Sequence, residues 1–268
     1  MKPTLSDEEF ERLRQFIYKL CGINLGPAKR ELIIARLSKR MRDLGIETFT
    51  TYQNLVEQDR SGNELTYMLN AISTNKTDFF RESMHFDFLA EKIYPQLNQQ
   101  QRIRIWSAAC STGEEPYTIA MTLLDALHQP FQKDIKILAT DLSTRVLNKA
   151  EAGIYPGQVI APVPASYRQK YLQKLPGTEG HWQVVAPLRK LIHFRRLNLM
   201  ERFPLTTQFD FIFCRNVMIY FDKPTQEQLV GKLVEFLAPG GHLFIGHSES
   251  LIGVSSGLKH VRSAIYQK

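Results

Sequence analysis

From residue 102 onward the chain alternates strand-like apolar runs with amphipathic ones: RIRIWSA, PYTIAMTLLDAL, IKILATD, TRVLNKAEAG. Strands spaced by helix-length segments are joined by crossovers, so the pattern predicts a parallel sheet with helices packed against it. Further on, FDFIFCRNV reads as a buried strand, TQEQLVGKLVEFLAPGG as a helix closed by Pro239 and Gly240, and HLFIGHS as another strand. The last segment, GLKHVRSAIYQK, suits an edge strand. Between Tyr155 and Arg196 prolines, glycines and short strand-like pieces (HWQVVA, LIHFRRL) interrupt the alternation, which reads as an inserted antiparallel subdomain.

The first 70 or so residues carry a different period. Ser6 precedes an acidic turn and then Phe10, Leu13, Phe16, Ile17 and Leu20, the pattern of a capped amphipathic helix ending near Gly22. On a second helix Ile33, Leu37, Met41 and Leu44 form an apolar stripe, with Lys29, Arg36, Lys39 and Arg40 on an adjacent face. TYQNLVEQ and ELTYMLNAIS continue the helical text, giving a small all-helical domain. No apolar run approaches the roughly 20 residues that span a bilayer, and the N-terminus is too polar and acidic for a signal peptide, which points to the cytoplasm. Cys21, Cys110 and Cys214 are too far apart, and too far from histidines, for ligand spacing, so no metal site is expected. The net charge of +7 favours an acidic partner: nucleic acid, a membrane surface or an acidic protein face.

The turn WSAACSTGEEPYT lies between a strand and a helix, where dinucleotide folds place GxGxxG and a pyrophosphate. Here there is one glycine, Gly113, followed by Glu114 and Glu115, whose charges already suit the helix dipole and repel phosphate. Such a turn either just stabilises its helix or takes a ligand with hydroxyls and positive charge; S-adenosylmethionine answers that second description. Asp141 closes IKILATD at the sheet edge where α/β proteins bind ligands, a place for an acid that accepts from ribose hydroxyls or orders the next helix. Arg215, Asn216 and Tyr220 follow a core strand at the same edge, and the two polar groups need partners, either a ligand or an internal ion pair. STNKTDFFRE supplies Asn75, Thr77 and Arg81 in the connection between the two regions.

STNKTDFFRE, WSAACSTGEEPYT, ATDLS, RLNLM, FDFIFCRNVMIYF and LAPGGHLFIGHSES, in this order, resemble the bacterial chemotaxis receptor methyltransferases, the CheR family, over essentially the whole chain. The resemblance implies an α/β, Rossmann-like class I S-adenosylmethionine-dependent methyltransferase domain with a small antiparallel β insertion, preceded by an all-helical N-terminal domain. On this reading residues 1–72 form the helical, receptor-facing domain, 73–90 a linker contributing to the cofactor pocket, and 91–268 the methyltransferase domain with its insertion at about 155–196. It implies methyl transfer from S-adenosylmethionine to glutamate side chains of chemoreceptor cytoplasmic helices, leaving S-adenosylhomocysteine and needing no metal. Carried over by motif, Asn75, Thr77 and Arg81 reach the cofactor from the linker, and Glu115 and Asp141 bind its polar groups. Asn198 and Leu199 lie against adenine, and Arg215 and Asn216 complete the site beside Tyr220.

A glutamate acceptor is ionised at neutral pH, so its attack needs no general base, and positioning with exclusion of water is the protein's task. Arg81 either orients that carboxylate or holds the cofactor's own, with Tyr220 beside it. Lys29, Arg36, Lys39 and Arg40 supply complementary charge to glutamate-rich receptor helices. The enzyme is expected to act as a monomer recruited to membrane receptors without inserting into the bilayer. Nucleic acid is a weaker partner, because no stacking platform or binding motif accompanies the basic face. A cofactor-binding adaptor without activity is the alternative of a different class. In the family that the chain resembles, some members bind a receptor tether peptide through a glycine-containing loop of the inserted subdomain; the segment LPGTEGHWQV is short for such a loop, which favours a tether-independent enzyme.

Overall fold

The computed structural model describes residues 4–72 and 75–268; the first two residues of STNKTDFFRE lie outside the described residues. Four helices, α1 (Asp7–Cys21), α2 (Arg30–Asp43), α3 (Phe49–Gln58) and α4 (Asn63–Ile72), form the N-terminal region. The helix start at Ser6 is a reciprocal capping box: the Ser6 hydroxyl accepts from the Glu9 backbone N–H and the Glu9 carboxylate from that of Ser6. Gly22 ends α1 in the left-handed conformation. The apolar stripes meet in one core around Leu13, Ile17, Ile33, Leu37, Tyr52 and Met68, whereas Leu44, expected on the same stripe, stays exposed past the end of α2.

The remainder is built on a seven-stranded sheet ordered β6-β2-β1-β7-β8-β10-β9. Its strands are β1 (Arg102–Ala108), β2 (Asp134–Asp141), β6 (Ile192–Arg196), β7 (Phe209–Cys214), β8 (Leu237–Ile245), β9 (Lys259–Arg262) and β10 (Ile265–Gln267). The ladders from β6 to β8 are parallel, and β10 and β9 add an antiparallel edge. Alternate residues of the central strands feed two cores. Ile103, Ile105, Phe211 and Phe213 face one, Trp106, Ala108, Ile212 and Cys214 the other. Burial on both faces explains why these strands read as near-continuous apolar runs.

Three sequence expectations need correction. The interrupted segment 155–196 is not wholly an insertion. β3 (Ile154–Pro156), β4 (Leu172–Lys174) and β5 (His181–Val184) form a separate antiparallel sheet, but LIHFRRL supplies β6, an edge strand of the main sheet paired with β2. As an edge strand it buries alternate residues only, and that pattern imitates an antiparallel piece. Pro239 and Gly240 do not close a helix: the helix Lys223–Glu235 has ended before them, and both lie at the start of β8. The C-terminal segment supplies two strands, β9 and β10, where one was expected.

The two regions are stitched beside the strand ends. Asn24 N–H donates to the Tyr220 carbonyl at 2.8 Å, Asn198 Nδ2 to the Leu20 carbonyl at 2.7 Å, and the Tyr18 hydroxyl to Asp222 at 3.0 Å. Among the described residues no helix is long and apolar enough to cross a membrane.

Candidate active site

The strand order reverses between β1 and β7, and the connections leaving their carboxyl ends diverge there, the place where open α/β sheets leave a crevice. A cleft of about 1190 Å³, counted out to its open mouth, occupies that point. Each part of its wall comes from a different element: Ala109 to Ser111 and Glu115 after β1, Asp141 after β2, Asn198 and Leu199 after β6, and Arg215, Asn216 and Tyr220 after β7. Asn75, Thr77 and Arg81 close it from the connection, and Lys29 with Cys21 and Leu25 from the helical domain. All ten residues that the sequence reading grouped around a cofactor thus share one wall, as does Lys29.

The turn after β1 depends on Gly113, whose φ of 96° is open to glycine and whose side-chain position would fall 2.8 Å from Ala150 Cβ. The two following glutamates then part company. Glu114 is buried and accepts from the Thr112 hydroxyl at 2.6 Å, away from the cleft. Glu115 lines it, one carboxylate oxygen accepting from Ser107 Oγ at 2.6 Å and the other from Arg215 Nη1 at 3.0 Å. Burial pushes the Glu115 carboxyl above the ordinary carboxylate range, with Arg215 and Ser107 opposing it.

Among the described residues Asp141 has no cationic partner in the cleft. Its two oxygens accept from the backbone N–H groups of Ser111 and Ser143, both at 2.9 Å, and so pin the two loops that flank it. Burial raises its pKa as well, against those two backbone donors and that of Leu142. Three backbone donors leave the carboxylate with lone-pair capacity for a further donor. Ser143, not Asp141, caps the helix Thr144–Ala152.

Arg215 is 2% exposed and donates to Glu115, to Glu82 Oε2 at 3.0 Å and to the Arg81 carbonyl at 2.5 Å. Asn216 takes a left-handed φ of 57°, with its side chain donating to Glu82 Oε1 at 3.1 Å and its N–H to Glu249 at 3.0 Å. Glu249 also accepts from Gly246 and Ile219 N–H groups, and a side chain on Gly246 would sit 2.4 Å from Asn216 Nδ2. Glu82 and Glu249 were not singled out from the sequence. Each is one acid in a polar loop, and neither stands at a periodic position; the signal available was that Arg215, abutting a core strand, needed a carboxylate.

Arg81 donates to the Lys76 carbonyl at 2.9 Å, which folds the connection across the mouth. The Asn198 amide is committed to Leu20, Glu201 and Met200, so within the structure it anchors the helical domain while lining the cleft. The basic face of α2 is smaller than its sequence suggests. Arg36 donates to the Ala71 and Ile72 carbonyls at the end of α4, and Arg40 grips the buried Glu64, which also accepts from Tyr52. Those guanidiniums cap and pair within the domain; Lys29 and Lys39 remain exposed.

The donor set has a definite sign. Glu115 and Asp141 contribute two carboxylates to the inner wall and Arg215 one guanidinium, itself held from behind by Glu82, so buried acid exceeds buried base. A ligand that brings positive charge and hydroxyl donors suits such a wall, and a phosphate does not. S-adenosylmethionine fits that requirement.

Two family profiles match the chain: "CheR methyltransferase, all-alpha domain" over residues 8–73 and "CheR methyltransferase, SAM binding domain" over residues 75–267. A chemotaxis protein methyltransferase of Borreliella burgdorferi is 44% identical over 272 residues, covering 98% of this chain and 95% of that one. Chemotaxis protein methyltransferase 2 of Pseudomonas aeruginosa is 42% identical, covering 97% and 92%. That of Klebsiella aerogenes is 44% identical, covering 94% and 86%. With a cleft of matching chemistry at the switch point and relatives alike over nearly their whole length, this chain belongs to the CheR family of S-adenosylmethionine-dependent chemotaxis protein methyltransferases.

Proposed function

We propose that the enzyme esterifies glutamate side chains on the cytoplasmic helices of chemoreceptors. The observation that carries this reading is the make-up of the cleft wall. Among the described residues it holds no histidine, and both of its carboxylates are already hydrogen-bonded. Lys29, Lys76 and Arg81 lie on the same wall, the two lysines exposed. A wall with cations and without a free base suits an acceptor that arrives ionised, as a carboxylate does at neutral pH. An amine acceptor would arrive protonated and need a base.

The bound cofactor supplies an electrophilic methyl group on a sulfonium. In this reading Asp141 accepts from the ribose hydroxyls, Glu115 and the connection residues Asn75 and Thr77 bind polar groups, and Asn198 and Leu199 border the adenine. Arg215 and Asn216 hold the inner wall. Arg81, beside Tyr220, orients the acceptor carboxylate; a guanidinium presenting a fork does this without removing a proton. Packing of the helical domain over the cleft, through Cys21 and Leu25, keeps water from the reacting atoms. No residue in this scheme calls for a metal. Lys29 and Lys39 provide the charge that draws acidic receptor helices, as a monomeric enzyme visiting membrane-bound receptors would require.

The test is transfer of labelled methyl from S-adenosylmethionine to receptor-containing membranes, followed by mild alkali. Label released as methanol establishes a carboxyl ester. Label that survives alkali on the receptor means N- or S-methylation and overturns the glutamate reading.

A further inference from the structure

Glu249, in the loop after β8, lies off the cleft wall, yet it holds the backbone that carries part of it. Its Oε2 accepts from the N–H groups of Gly246 at 2.6 Å and Asn216 at 3.0 Å, and its Oε1 from that of Ile219 at 3.2 Å. Among the described residues no cation pairs with it. Its donors come from two loops, so one carboxylate clamps the residues after β7 against those after β8. Asn216 takes φ 57°, a conformation that a residue with a side chain keeps only where its surroundings impose it. From there the chain runs into the short helical turn Met218–Tyr220. The carbonyls of that stretch are held as well: Gln226 Nε2 donates to Met218 at 2.9 Å and to Phe221 at 3.0 Å, and the Asn24 N–H to Tyr220 at 2.8 Å. Tyr220, which lines the cleft, thus stands on backbone fixed from three sides.

Of these three holds Glu249 is the one that a neutral isostere cannot replace. The hydrogen-bonding groups that face it are donors, and a glutamine would turn its own NH₂ donor toward one of them, leaving two donors opposed. Burial pushes the Glu249 carboxyl above its ordinary range, and the N–H groups of Gly246, Asn216 and Ile219 oppose that rise. We propose that Glu249 is a positioning residue for methyl transfer, holding the Asn216–Tyr220 stretch so that the Tyr220 side chain meets the reacting groups. It touches neither cofactor nor acceptor, and the proposal rests on the reading of Tyr220 beside the acceptor carboxylate given above.

The experiment is a double-mutant cycle on the full chain: wild type, Glu249→Gln, Tyr220→Phe and the two together, assayed for total methyl transferred from S-adenosylmethionine to receptor-containing membranes. Rates are divided by the binding sites counted in calorimetric titration with S-adenosylhomocysteine, which removes losses due to unfolded chains. Each single variant lowers kcat by about tenfold or more while KM for the membranes moves by less than about threefold. In the double variant kcat lies within about threefold of Tyr220→Phe alone, because the group that Glu249 positions is already gone. Losses that multiply in the double variant, or a wild-type rate in Glu249→Gln, overturn the proposal, since a merely structural role does not vanish with one hydroxyl. If Glu249→Gln does not fold, Glu249→Asp runs the same cycle, keeping the charge and drawing the oxygens back by one methylene. A loss absent from the Tyr220→Phe background supports the proposal, and a multiplied one sinks it. Full activity in Tyr220→Phe overturns the reading of Tyr220 and this proposal with it. Alkali-stable label overturns the glutamate reading alone, because the cycle counts methyl groups whatever atom carries them.

Discussion

The Arg215 guanidinium and the Glu82 carboxylate, 133 positions apart in sequence, form a 3.0 Å ion pair with the arginine almost wholly buried. Burial by itself would raise the Glu82 carboxyl, but Arg215, Asn216 and the His247 N–H outweigh it and hold it below its ordinary value. The pair joins the connection after the helical domain to the loop after β7, and so the two sides of the cleft.

Truncating Arg215 removes the one cation from this cluster and leaves two carboxylates facing each other. Arg215→Ala is expected to lower stability by about 3 kcal/mol or more, the usual consequence of breaking one side of a buried pair. Urea unfolding with and without S-adenosylhomocysteine checks this, since the ligand should no longer raise the midpoint.

Asp141 and Glu115 both have raised carboxyl pKa values because they are buried. For an acid whose folded pKa lies above its unfolded one, the protonated form is favoured by folding, and that contribution is lost as pH rises through the folded value. A cationic ligand has the opposite preference, since it needs the ionised form. Affinity for S-adenosylmethionine should therefore fall as pH drops, beginning above the range in which ordinary carboxylates titrate. Titration in two buffers of different ionisation enthalpy should show proton release on binding in that range.

Gly246 leaves no room for a side chain beside Asn216. Gly246→Ala is expected to displace Asn216, at a cost of about 1–3 kcal/mol in stability, and to weaken cofactor binding. Thermal unfolding and ligand titration on the same variant read both effects.

The basic residues of α2 should separate into two classes. Neutralising Lys29 and Lys39 is expected to raise the apparent KM for receptor membranes and flatten its salt dependence, leaving stability within about 0.5 kcal/mol. Arg40→Gln strips the buried Glu64 of its cationic partner, leaving it only Tyr52 and its charge uncompensated, and is expected to lower stability by about 1 kcal/mol or more while leaving the salt dependence as it was. Rates at two ionic strengths, with denaturation midpoints, tell the classes apart.

Where an element's period matched its burial, its sequence was legible. The Ser6 cap, the stripe of Ile33, Leu37 and Met41, and the two-sided apolar runs of β1 and β7 each report a local energetic preference. β6 was misread because an edge strand of a parallel sheet loses one buried face and takes on an alternating pattern. Pro239 and Gly240 look like a helix stop, and the partner strands that place them at the start of β8 are distant in sequence.

By itself the sequence determined the capped and periodic elements and the turn after β1, because capping, periodicity and backbone freedom act within a few positions. Only the tertiary structure decided which charges were free. Arg36 and Arg40 are consumed by α4, Arg215 is shared by Glu82 and Glu115, and Glu249 holds the Asn216 turn. Those pairings cross tens to hundreds of residues, and a buried charge takes its partner from whatever the fold brings within about 3 Å, not from its neighbours in the chain.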